Sequence, residues 1–256
     1  MANTKEVRKQ IASIKSTRKI TSALEMVAAS KIKKTQEQML RGRPYSEKVK
    51  DVIGHIANSS SEYDHPFYQE REAKTVCYVI VSSDKGLCGG LNTNLFKKVL
   101  VEAAANKEQG VEVSFALIGG KAVTFFGNLG GKILSQVTKM GDKPNPEDLI
   151  GFTKVILDEQ KKNSIDKVIL CSNRFVNTMT QEPTLQQLIP LVNEANEGLS
   201  AGQWDYIYEP EAKTLLDGLL TRYIEALIFQ AVLENGACEQ LSLIHISEPT
   251  RQHAIA

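Results

Sequence analysis

A narrow apolar stripe running from Val7 to Ile56 constrains this chain more than any other feature. Val7, Ile11 and Ile14 recur at steps of three and four, followed by Leu24, Ala28, Ile32, Thr35 and Met39. The stripe resumes at Val49, Val52, Ile53 and Ile56. Asn3 or Thr4 is placed to cap a helix, with Glu6 in its first turn. Only Gly42 and Pro44 interrupt the pattern, and Pro44 predicts a kink or local break. At about 1.5 Å per residue such a helix reaches about 80 Å, much longer than a compact domain of this mass is wide. So narrow a stripe on so long a helix cannot be buried by one small globule, and it requires another long helix beside it.

The far end of the sequence supplies that helix. Beyond Glu211, Leu216, Leu220, Tyr223, Leu227 and Ala231 form one stripe, with Leu215, Leu219 and Ile224 beside it. The pattern predicts a helix to about Gln240, and Pro249 is expected to stop any continuation. Between the helices, strand and helix patterns alternate. Strands are predicted at Thr75–Ser82, Val111–Ile118, Ile133–Thr138 and Lys167–Ser172, with a last one at Trp204–Tyr208. Helices are predicted from Asn94 to about Asn106, from Lys121 to about Leu129, and from Pro146 to about Lys162. The expected fold is α/β: a Rossmann-like, mostly parallel sheet inserted between two terminal helices that pair as an antiparallel coiled coil. Its parts are an N-terminal helix at 1–58, a sheet domain at 74–209, a second helix at 211–240 and a tail at 241–256.

Charge is distributed unevenly. Residues 1–50 hold 13 Lys and Arg against four Glu, net +9, within a chain whose total is only +1. Such polarity marks a surface that meets an acidic partner. The basic helix has no aromatic residue before Tyr45, which weakens a nucleic-acid reading. Four scattered cysteines without C-x-x-C spacing argue against a zinc site and against a disulfide framework. No apolar run is long enough to span a bilayer, and the first residues lack a secretory core.

The segment "VIVSSDKGLCGGLN" poses the question of nucleotide chemistry, because glycines after a strand often cradle phosphate. Gly86, Gly89 and Gly90 match neither the P-loop nor the dinucleotide spacing. The "GNLGGKI" stretch has Phe126 at the required glycine and Ile133 at the required hydroxyl. Tight turns account for these glycines better than phosphate binding does. Cys88 has no histidine near it in sequence, and no pair of carboxylates has acid–base spacing. No catalytic residue, cofactor site or metal site is expected. A nucleotide-binding α/β enzyme with helical arms is the alternative.

"KITSALEMVAASKIKK", "RPYSEKV", "SSDKGLCGGLNTNLFKK" and "WDYIYEP" resemble, in order, the gamma subunits of bacterial F-type ATP synthases, over residues 1 to about 240. The resemblance implies a central rotor shaft inside a ring of alpha and beta subunits. Its foot rests on the c-subunit ring, with epsilon alongside, peripheral to the cytoplasmic face of the bacterial inner membrane. ATP chemistry then belongs to beta, and proton flow through the c ring turns the shaft. The resemblance also implies that Lys31, Lys33, Lys34, Asp84, Lys85 and Cys88 meet the beta subunits. Tyr206, Tyr208 and Glu209 would meet the c ring. The tail "LSLIHISEPTRQHAIA" departs from the family, whose Ile-Thr-x-Glu and Gly-Ala signature is absent. Leu241–Arg251 resembles a translated transposon-type adapter. The tail is therefore expected to be foreign to the family and to leave the helix near Val7–Ile20 without a mate.

Overall fold

The computed structural model describes residues 4–59, 65–69, 71–141, 143–177, 180–191 and 212–252. Helix α1 (Thr4–Ser59) and the last helix, α5 (Ala212–Gln252), enclose a sheet domain in sequence. They run antiparallel: Gln230 Nε2 donates to the Met39 carbonyl at 3.2 Å, while Gly236, further along α5, faces Thr35, earlier on α1. Ala28, Met39 and Val49 of α1 are buried in this pairing. Val7, Ile11, Ile14 and Ile20 stay exposed, as expected of a stripe without a mate.

Pro44 does not end α1. Buried Met39 and Val49, on either side of it, hold both flanking turns against α5, and this packing outweighs one lost backbone bond. The expectation that α5 stops near Gln240 also fails, since the helix runs through Pro249 to Gln252. Leu241 and Ser242 are buried, and Gln181 Nε2 donates to Ser242 Oγ. Tertiary contacts thus carry the helix past the boundary that local sequence suggested.

The sheet domain contains β1 (Thr75–Val81), α2 (Leu91–Glu108), β2 (Glu112–Ile118), α3 (Gly120–Asn128), β3 (Lys132–Val137), α4 (Glu147–Lys161), β4 (Lys167–Asn177) and β5 (Thr180–Ile189). Strand order is β3-β2-β1-β4-β5, all parallel except β5. The unbroken apolar run of β1 suits a central strand covered on both faces. Cys77, Val79 and Val81 pack with α4 and with Leu216, Leu220 and Ile224 of α5. Val76, Tyr78 and Ile80 point the other way, toward Leu95, Phe96 and Val99 of α2 and Phe126 of α3. One face of the sheet is therefore sealed by α4 together with the base of the coiled coil.

Strand β5 was not predicted. Pro183 and several glutamines conceal it, yet it is an edge strand, where a missing N–H is tolerated. The predicted strand at Trp204–Tyr208 lies outside the described residues.

Candidate functional site

The chain leaves β1 through Ser82, Ser83 and Asp84, and each of these side chains is committed internally. Ser82 Oγ accepts from the Ala122 N–H at 2.9 Å. Asp84 Oδ1 accepts from the Gly120 and Lys139 N–H groups at 3.0 and 2.9 Å. The N–H groups at the start of α3 are thus capped by the chain's own oxygens. In a phosphate site those donors would face a ligand. Asn92 Oδ1 accepts from the Ser83 N–H at 3.2 Å, and its Nδ2 donates to Ser83 Oγ at 2.8 Å and to Cys88 Sγ at 3.2 Å.

The strand order reverses between β1 and β4, where folds of this class form a ligand crevice. Here α5 fills it. Asn173 Nδ2 of β4 donates to Asn235 Oδ1 at 2.9 Å. Cys238 Sγ donates to the Asn173 carbonyl at 3.5 Å. Cys88, Leu91 and Cys238 form one small buried cluster with Phe175 packed against it. Burial pushes the Cys238 thiol up to about 12, so it remains a thiol.

The structure brings three of the predicted contact residues together. Lys31, Lys34 and Asp84 line one cleft of about 220 Å³ between α1, α5 and the ends of β1 and β2. Lys143 and Glu239 also line it and were not predicted, because they converge from distant segments. Lys33 and Lys85 are exposed but do not line the cleft. Cys88 departs from expectation: at 2% exposure it lies beneath the loop and anchors it, so its thiol presents nothing to a partner. Its neighbour Leu87 is the displayed residue, 73% exposed with a φ of 71°. No sequence signal marked it. Tyr206, Tyr208 and Glu209 lie outside the described residues. Among the described residues no group of His, Cys, Asp and Glu could hold a metal ion. No described helix is long and apolar enough to cross a membrane.

A family model described as ATP synthase matches residues 3–244. The chain belongs to the ATP synthase gamma-subunit family. The match runs past the boundary expected at about Gln240 and includes part of the divergent tail. The fold of this gamma-family chain is similar to the central stalk of the Tetrahymena thermophila mitochondrial ATP synthase. That likeness has a TM-score of 0.69 at 20% identity and covers 91% of this chain and 99% of that one. It is also similar to the rotor of the Euglena gracilis mitochondrial enzyme, with a TM-score of 0.62 at 17% identity, covering 97% of this chain and 90% of that one. Family and fold together mark a central-stalk subunit of an ATP synthase complex.

Proposed function

We propose that this gamma-family chain is the rotating shaft that couples proton-driven turning of a c ring to the catalytic beta subunits, and that it performs no chemistry of its own. The observation that carries the reading is the antiparallel α1–α5 pair, whose base merges with one face of the sheet. Torque applied to the sheet domain then has a packed path into the helices.

The upper end of α1 supports the same reading. Its exposed apolar stripe and excess of lysine and arginine suit a sleeve of alpha and beta subunits with acidic loops. Attraction between separated charges varies gradually with angle, so a basic rod slides past three like sites without locking onto one. Lys31, Lys33, Lys34, Asp84 and Lys85 are the proposed contacts with beta, with Cys88 fixing the loop beneath them. Tyr206, Tyr208 and Glu209 are the proposed grip on the c ring, and epsilon the neighbour on the stalk. The proposed location is the cytoplasmic face of a bacterial inner membrane, peripheral and reached through the c ring.

The test is assembly with alpha and beta subunits. The wild-type chain is expected to form a stoichiometric complex whose ATPase activity depends on it. Charge reversal at Lys31, Lys33 and Lys34 should preserve the complex and lower turnover severalfold. Saturable binding of ATP or NAD by the isolated chain, with no assembly, would favour the enzyme reading and overturn this one.

A further inference from the structure

Helices α2 and α3 cover the face of the sheet opposite α4 and α5, and the two enclose an open groove of about 820 Å³. Its floor is apolar. Phe96 stacks on Phe125 with ring centroids 4.9 Å apart, and Leu100 continues the surface. Val101 is 66% exposed, although its place on α2 could carry a polar residue, and Phe125, stacked on Phe96, still shows 38% of its surface. The charged side chains lining the groove are Lys97 and Lys121, with no carboxylate among its lining residues.

We infer that this groove is a docking surface for an acidic amphipathic helix from another protein. The backbone groups along α2 and α3 are spent within those helices, so the groove offers no edge for a strand to extend. A helix arrives with its own backbone satisfied and needs only an apolar stripe for the Phe96–Phe125 floor. Glutamates or aspartates on its flanks would face Lys97 and Lys121. The nine residues of α3 set the length of the groove at about 13 Å, which matches two to three turns of an incoming helix. The groove shares no lining residue with the Asp84 cleft, and its Gly86–Gly89 end adjoins the loop proposed to meet beta.

The test uses the full chain and two fluorescent peptides of about 16 residues, each with leucines at i, i+4, i+7 and i+11. One has Glu on the flanks, the other Lys. By anisotropy the Glu peptide is expected to bind saturably, about tenfold more tightly than the Lys peptide at low salt. The double variant Lys97→Glu with Lys121→Glu should abolish or invert that preference, and Val101→Glu should weaken both peptides. All three positions are exposed, so melting curves should match wild type. Equal affinity for the two peptides, no saturable binding, or a preference untouched by the double variant would each overturn the proposal. So would self-association of the wild-type chain that Val101→Glu abolishes, because the occupant would then be a second copy.

Discussion

Asn173 of β4 and Asn235 of α5 share a buried hydrogen bond of 2.9 Å, which ties a central strand to the shaft helix. Replacing Asn235 by alanine leaves the Asn173 amide buried with its donor unpaired. The expected cost is about 1–3 kcal/mol in urea unfolding. The Asn173→Ala, Asn235→Ala double variant should cost less than the sum of the singles. Full additivity would show that the pair does not couple strand to shaft.

His65 joins the segment before β1 to the base of α5. The Phe67 N–H donates to His65 Nδ1 at 3.0 Å, so the ring proton sits on Nε2, which faces Asp217 Oδ1 at 2.8 Å. Nitrogen NMR at neutral pH should therefore show the Nε2–H tautomer. His65→Ala should destabilise by about 2 kcal/mol, since it leaves the Phe67 donor unpaired in a buried turn. An Nδ1–H tautomer would refute the assignment.

Three buried thiols give stability a definite pH dependence. Burial raises Cys77 and Cys238 from 9.0 to about 12, and holds Cys171 well above the ordinary thiol value. Above about pH 9 the unfolded chain releases these protons while the folded chain keeps them, so the folded state binds more protons. Stability is expected to fall as pH rises from about 9 toward 12, by up to ~1.4 kcal/mol per unit for each thiol. Cys77→Ala and Cys238→Ala variants should show a shallower decline. Native-state alkylation at pH 8 should leave both residues unmodified until the chain unfolds.

Gly119 and Gly151 should respond oppositely to alanine. Gly119 has a φ of 96°, and an added Cβ would lie 2.2 Å from the Ser82 carbonyl oxygen. Gly119→Ala should cost more than about 2 kcal/mol. Gly151 lies within α4 with nothing within 4 Å of an added Cβ, so Gly151→Ala should stabilise by about 0.5–1 kcal/mol. Chemical denaturation of both variants checks the contrast.

Amide exchange should divide α1 in two. Residues 7–20, whose apolar positions are exposed, should exchange quickly in the isolated chain, because a helix without a packed face is marginal in water. Residues near Ala28 and Met39 should be protected by α5. Strong protection of 7–20 in the monomer would contradict the exposed stripe.

Much of this architecture was legible in the sequence. The spacing from Ala28 to Met39 identified the face of α1 that meets α5, and the apolar run at Thr75–Ser82 announced a strand, which the structure buries on both sides. What escaped was set by distant residues. β5 is held by its antiparallel register with β4, Pro183 standing opposite Asn173, and nothing local in "TQEPTLQQLI" signals that pairing. Cys88 looked like a surface residue because its burial depends on Cys238, far along the chain. The end of α5 was misjudged for the same reason, since Gln181 and the β4–β5 hairpin support Ser242.

The fusion of α5 with one sheet face has a mechanical corollary. Val49, Leu216, Leu220 and Ile224 share a single close-packed core with Val79 and Leu170, so the base of the axle and the globule deform as one solid. Compliance is left to the part of α1 before Ala28, beyond the α5 residues that Asn173, Cys88 and Gln181 tie to the sheet domain, where Val7, Ile11, Ile14 and Ile20 stand exposed. Elastic energy stored between one catalytic event and the next would accumulate there.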